Sequence, residues 1–223
     1  MQVFIEKFTF NAFQQNTYLI YETASLKGIL FDAGQESAKE KKILEDFISS
    51  KNIQIKHLVL THSHLDHVFG VLHIYEKYGI KPAMHRLDYQ TFLQTPLYAP
   101  MFGHHFQIPD DFPEPIFLEE GDQITLADQI FETIFVPGHA PGHLAFVNKS
   151  QKYLISGDVL FKNSVGRTDL MGSDFETLRQ SIQEKIYILP EDFLIYPGHG
   201  GTTTVGNEKK NNPFIHERTA RKI

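Results

Sequence analysis

His62-Ser63-His64-Leu65-Asp66-His67 places three imidazoles and one carboxylate within six residues. Imidazole and carboxylate donors suit zinc, iron or manganese, so this stretch offers four nitrogen or oxygen ligands from one short turn. A solvated polar turn has no need of such a density, and the pattern has little chance of arising at random. Three further candidates stand where apolar runs stop. Phe135-Val136-Pro137-Gly138-His139 and Ile195-Tyr196-Pro197-Gly198-His199 each end an apolar strand with Pro-Gly and then a histidine. Proline cannot donate to a sheet ladder and glycine permits a sharp exit, so each histidine is delivered just beyond a strand end. Asp158 closes Leu154-Ile155-Ser156-Gly157-Asp158 in the same manner. Singly, each is an ordinary turn residue. Three on one kind of element, in a chain with this His-rich turn, point to a metal centre.

The elements that must position these groups can be read from patterning. Residues 2–10, 16–22 and 28–32 are rich in Val, Ile, Phe, Tyr and Thr and read as strands. A helix follows, opened by the capping box Ser37-Ala38-Lys39-Glu40, with Ile43, Leu44, Phe47 and Ile48 on its apolar face. Leu58-Val59-Leu60 is a short strand feeding Thr61 and the His-rich turn. Val68, Val71, Leu72 and Tyr75 then follow helical spacing directly behind it. Residues 95–114 carry four prolines and read as a long irregular loop. Short strands resume over 115–156. A capping box at Ser173-Asp174-Phe175-Glu176 opens another helix, whose buried face is Phe175, Leu178, Ile182 and Ile186. The last strand is Phe193-Leu194-Ile195-Tyr196. Strands then helices, repeated once, suggest two similar halves in a layered α/β arrangement rather than a parallel doubly wound sheet.

Composition narrows the function classes. The chain has 223 residues, enough for one substantial core, and residues 1–223 are expected to form a single domain. Twenty-one Lys and Arg against 27 Asp and Glu give a net charge of −6, which argues against nucleic-acid or anionic-membrane partners. With no cysteine there is no disulfide, thiolate ligand or thiol nucleophile, whereas 12 histidines favour metal or acid–base chemistry. No apolar stretch approaches the roughly 20 residues of a membrane span, and no signal peptide is read at Met1–Lys7. A cytoplasmic enzyme acting on a small molecule is the expectation.

The series His62-x-His64-x-Asp66-His67, His139, Asp158 and His199 resembles, in order, the ligand series of the metallo-β-lactamase superfamily. Gly157-Asp158-Val159-Leu160-Phe161, Val165-Gly166-Arg167-Thr168-Asp169, Pro197-Gly198-His199-Gly200 and the tail Asn211-Asn212-Pro213-Phe214 are similar to its single-domain glyoxalase II-like hydrolases. The resemblance implies a four-layer αββα sandwich of two mixed sheets with the metal site at one edge. It implies two divalent ions, zinc first, with iron or manganese as alternatives. His62, His64 and His139 would hold one, Asp66, His67 and His199 the other, and Asp158 would bridge them. The implied reaction is hydrolysis of a thioester of the acyl-glutathione (S-lactoylglutathione) type by hydroxide held between the ions, with Asp66 and Asp158 as the catalytic carboxylates. Full-length glyoxalase II enzymes carry a C-terminal helical domain for glutathione. About two dozen residues follow His199 here, so no separate glutathione-binding domain is expected. A mononuclear iron persulfide dioxygenase shares the Gly-Arg-Thr-Asp segment and stays open as an alternative, as does a lactonase or esterase on the same metals.

Outside the ligand series, Arg167 is a candidate for a substrate carboxylate or, equally, for a pair with Asp169. His104 and His105, in the Pro-rich stretch, are candidate substrate contacts on a lid. Asp32, at a strand end, is expected to hydrogen-bond backbone or a ligand histidine, and His143 is expected to support the site or pack rather than ligate.

Overall fold

The computed structural model describes residues 2–215. The chain divides into two compact units: residues through Leu118 together with Thr125–Asp128, and Glu119–Ile124 together with everything from Gln129 onward.

The first unit is built on a six-stranded sheet in the order β1-β2-β3-β4-β5-β6. β1 (Val3–Phe10), β2 (Gln15–Glu22) and β3 (Lys27–Phe31) form an antiparallel meander. β4 (Gln54–Val59), β5 (Pro82–Met84) and β6 (Ile116–Phe117) add in parallel. Parallel neighbours need crossovers, and α1 (Ala38–Ser50) supplies the first, from β3 to β4. Its capping box is formed as the sequence predicts. The Ser37 hydroxyl accepts from the Glu40 amide, and the Glu40 carboxylate accepts from the Ser37 amide at 2.9 Å. Leu44 and Ile48 are buried, whereas Ile43 is 44% exposed and turns out of the expected face.

The expected helix behind the His-rich turn is two pieces, α2 (Leu65–Val68) and α3 (Val71–Tyr78), parted at Phe69-Gly70. A Cβ on Gly70 would fall 2.2 Å from the Gln35 amide carbon, and the Gly70 amide donates to the Ala33 carbonyl at 2.7 Å. The break brings the chain against the segment that follows β3.

The expected loop over 95–114 is helical at its start. α4 (Arg86–Tyr98) runs through Pro96 and passes into a 3-10 turn over Ala99–Phe102. Pro96 lies in the final turn, so only one helical hydrogen bond is lost, and Pro100 sits at the head of the 3-10 turn, where its missing N–H is harmless. The irregular part begins only at Gly103, with a left-handed φ of 79°. Phe92 of α4 is fully buried in the core of this unit, against Phe106 and Phe112 with ring centroids 6.1 and 5.8 Å away.

The second unit carries the sheet β14-β13-β10-β9-β8-β7. In chain order its strands are β7 (Gln123–Leu126), β8 (Gln129–Phe135), β9 (Leu144–Asn148) and β10 (Tyr153–Gly157), the small hairpin β11 (Leu160–Phe161) and β12 (Ser164–Val165) lying outside the sheet, then β13 (Leu194–Pro197) and β14 (Thr203–Thr204). β10 and β13 pair in parallel and the other pairs among β8, β9, β10, β13 and β14 are antiparallel, so both sheets are mixed, as expected. α5 (Phe175–Ser181) continues as a π-helical turn over Ile182–Ile186 and packs Leu178, Ile182 and Ile186 into the core. Its N-cap is Asp174, which accepts from the Thr177 amide at 2.7 Å. The Ser173 hydroxyl instead donates to the Leu170 carbonyl, so the N-cap falls one residue later than the expected capping box and Phe175 stays 42% exposed. α6 (Val205–Asn211) closes the described chain. Among the described residues no helix is long and apolar enough to cross a membrane.

Phe92→Ala should lower stability by about 3–5 kcal/mol, the range for deleting a buried ring. Urea unfolding followed by far-UV circular dichroism measures it; a loss below about 1 kcal/mol would deny Phe92 its place in the core.

Candidate metal centre

In the first unit, β4 ends at Val59 and the chain leaves through Thr61 into His62-Ser63-His64, with His64 as the N-cap residue of α2. The departure is governed by Asp32, just past the end of the neighbouring parallel strand β3. Asp32 is fully buried in the left-handed region, φ 52°, a conformation that aspartate tolerates better than most residues. Its amide donates to the Val59 carbonyl at 2.9 Å, and its carbonyl accepts from Thr17 Oγ1 at 2.6 Å and Gln15 Nε2 at 3.3 Å. Its carboxylate accepts from the Thr61 amide and the Thr61 hydroxyl, both at 2.7 Å, and lies 3.0 Å from His67 Nδ1. The expectation for Asp32 is met by its hydrogen bond to the Thr61 backbone, with His67 in close contact beside it.

These contacts assign the tautomers. A carboxylate only accepts, so the Thr61 hydroxyl spends its proton on Asp32 and accepts from His62 Nδ1, 3.1 Å away. His67 turns Nδ1 to the same carboxylate. Both rings therefore keep their Nε2 lone pairs for a ligand. The His62 ring centroid is 4.7 Å from that of His64 and 4.1 Å from that of His67. Donor atoms of His62 and His64, of His62 and His67, and of Asp66 and His67 approach within 4.8 Å of one another. Asn11, at the β1–β2 turn, fixes the backbone beside them by donating to the carbonyls of Gly34 and Asp66 at 2.9 and 3.0 Å.

The second unit positions His139, Asp158 and His199 from three strand ends. Gly138, at φ 129°, lets the chain turn after β8 where a Cβ would meet the Leu178 amide nitrogen at 2.2 Å. His139 Nδ1 donates to the Arg167 carbonyl at 2.8 Å, again leaving Nε2 for a ligand. The Asp158 amide donates to Nε2 of the fully buried His143 at 3.0 Å, so His143 supports the site rather than ligating through that atom, as expected. The Gly198 amide donates to the Gly157 carbonyl at 2.8 Å, which ties together the residues preceding His199 and Asp158. Asp158 Oδ2 lies 3.6 Å from His139 Nε2 and 3.4 Å from His199 Nε2.

Those separations test whether a cation fits. They are long for hydrogen bonds. Zinc-like ions sit about 2.0–2.2 Å from nitrogen and oxygen donors, so two donors on adjacent corners of a tetrahedron lie roughly 3.4 Å apart. Asp158 Oδ2 has that spacing to both histidines, and Asp66 Oδ2 stands 3.6 Å from His67 Nε2 in the other unit. The donor chemistry and the spacing within each unit fit divalent ions.

The outlying candidates fall differently. The Arg167 guanidinium forms a forked pair with Asp169 at 2.6 and 2.8 Å and holds that carboxyl down at about 2. His104 Nδ1 contacts Glu36 Oε1 at 2.6 Å, with its ring 5.3 Å from Phe13 and 5.0 Å from Phe69. His105 is exposed. Gln15, Thr17, Asn11, Asp88 and Tyr98 brace the ligand segments but carry no spacing signal; for Asn11, 55 residues separate it from the carbonyl it holds.

The family model for the metallo-beta-lactamase superfamily matches residues 10–199. The chain belongs to this superfamily. Among its curated relatives is the hydroxyacylglutathione hydrolase GloC of Haemophilus influenzae, 36% identical over 96% of this chain and 99% of that protein. Among solved structures, a di-iron-bound form of TTHA1623 is 35% identical, with a TM-score of 0.82 over 94% of this chain and 100% of the other. The BLEG-1 B3 metallo-beta-lactamase is 28% identical, with a TM-score of 0.84 over 95% and 99%. The chain thus has the metallo-β-lactamase fold, and its membership in a superfamily of metallohydrolases, together with its His/Asp sets, implies divalent metal ions.

Gly166→Ala tests the second unit's half of the site. A Cβ there would fall 1.9 Å from the Asp158 carbonyl oxygen and 2.9 Å from His139 Nδ1. Affinity for zinc, measured by competition with a chromophoric chelator, should fall roughly 10- to 100-fold with the far-UV spectrum unchanged; unaltered affinity would contradict the close approach.

Proposed function

We propose that this chain is a dinuclear metal-dependent thioesterase whose substrate is an acyl-glutathione. His62, His64 and His139 would hold one ion and Asp66, His67 and His199 the other, with Asp158 as a shared ligand. The single observation that carries the assignment is Asp158 Oδ2 at ligand-pair spacing from two histidines, in a chain 36% identical to a hydroxyacylglutathione hydrolase over nearly its whole length. Zinc is the proposed metal; the di-iron form of a 35% identical relative supports iron as the alternative.

When bound, a pair of divalent ions supplies Lewis acidity for the scissile carbonyl and brings the pKa of a bound water toward neutrality. The chain's own groups supply position. Asp66, whose side chain is 15% exposed, orients the attacking water through its carboxylate. His62, His67 and His139, each with Nδ1 turned to an internal acceptor, leave Nε2 as the atom that can serve as a ligand. A thiol of pKa about 8.5 leaves as thiolate without a general acid. Arg167 and His104 are the proposed substrate contacts for a glutathione carboxylate and its surroundings. Arg167 is well exposed at 59% and would exchange its Asp169 partner for the ligand.

Turnover should be assayed on a panel of S-lactoylglutathione, other thioesters, lactones and a glutathione persulfide, with protein of measured metal content. Thioester hydrolysis with about two metals per chain is expected. Asp158→Ala should lose both the metal and the turnover. One iron per chain with oxygen uptake on the persulfide would replace this reading with a dioxygenase, and lactone turnover alone would replace the substrate class.

A further inference from the structure

We propose that helix α4 sets the geometry of the His62/His64 ligand pair by gripping the peptide between them, with Asp88 holding the Ser63 N–H and Tyr98 holding the Ser63 carbonyl. The proposal rests on the reading of His62 and His64 as metal ligands.

Ser63 is fully buried, and both polar ends of its backbone are taken by side chains of one helix. Asp88 Oδ2 accepts a short hydrogen bond from the Ser63 amide. The Tyr98 hydroxyl donates to the Ser63 carbonyl at 3.3 Å and shares a 3.1 Å contact with Thr95 Oγ1. Asp88 stands in the first turn of α4 and Tyr98 is its last residue. Ten residues of helix rise roughly 15 Å, a span closed jointly by the Asp88 side chain, the Ser63 peptide and the Tyr98 side chain, which leans back toward the helix N-terminus. Burial pushes the Tyr98 hydroxyl up to about 12, so it is a donor at neutral pH. Asp88 is fully buried, and an anionic acceptor makes the amide bond the stronger of the two grips. The Ser63 hydroxyl adds a 3.8 Å contact to Met84 Sδ.

The grip matters because alternate side chains on an extended backbone stand about 6.5 Å apart, whereas these two rings meet edge to face at 4.7 Å. Ser63 is the one residue between them, so its backbone sets how the two Cα–Cβ directions relate. Asp32 already holds the Thr61 amide on one side of His62, and Asp88 holds the Ser63 amide on the other. The ligand turn is thus fixed at alternate amides by two buried carboxylates before any cation arrives. Asp88 and Tyr98 are positioning residues, acting through the backbone of Ser63.

The test uses the full chain with zinc and with cobalt(II), read by chelator competition, by the visible cobalt spectrum, and by the thermal midpoint of the metal-free protein. Tyr98→Phe should weaken both metals about 10-fold and shift the cobalt bands, and Asp88→Ala should weaken them 10- to 100-fold. Asp88→Asn, which keeps an acceptor oxygen, should recover most of the loss. Variants that lower the metal-free midpoint yet bind cobalt with wild-type affinity and spectrum would reduce α4 to a structural prop and overturn the proposal. Should Asp88→Ala fail to fold, Tyr98→Phe decides alone. His64→Ala separates the two levels. If it binds cobalt as the wild type does, the ligand reading itself falls; if it does not, while Tyr98→Phe and Asp88→Ala bind normally, only the grip falls.

Discussion

An imidazole can present a lone pair to a cation from one ring nitrogen only when the proton on the other has somewhere to go. That requirement organises both units of this chain. His62 passes its Nδ1 proton to Thr61, His139 to the Arg167 carbonyl, and His67 turns the same atom to Asp32. Each acceptor is itself held. Thr61 is fixed by the Asp32 carboxylate, and Asp32 by the Val59 carbonyl and the side chains of Thr17 and Gln15. A buried carboxylate in this role costs desolvation energy, and its charge is offset when ions of opposite sign bind nearby.

The second constraint is close approach. Pro-Gly-His at 137–139 works because nothing larger than glycine fits against the α5 backbone at Gly138, and Gly166 lies against the Asp158 carbonyl and the His139 ring. The Gly198–Gly157 hydrogen bond joins the two strand ends that carry His199 and Asp158. Strand ends are good places for such groups, because the sheet fixes the backbone up to the last ladder bond while the side chain beyond it is free of the pleat.

Around these fixed groups the chain keeps its variable features. Arg167 gives its backbone carbonyl to His139 while its side chain reaches outward to Asp169. His104 lies beyond the helical stretch that the prolines of 95–114 obscure, between the rings of Phe13 and Phe69.

Local chemistry legible in the sequence determined a good deal. The strands up to the His-rich turn, the Ser37/Glu40 cap and the two Pro-Gly-His exits all follow from short-range rules, because periodicity, capping and proline act within a few residues. The sequence went astray where a local signal had two readings. Prolines 96 and 100 suit a helix's last turn and the next turn's first position as well as they suit a loop, and Ser173 and Asp174 compete for one N-cap. Asn11, Gln15, Asp88 and Tyr98 were invisible, since a hydrogen bond formed across 17 to 55 residues leaves no periodic mark on the chain. The sequence by itself determined which side chains carry lone pairs. Only the tertiary structure decided which nitrogen of each ring is free to use one, because that depends on an acceptor brought in from elsewhere in the chain.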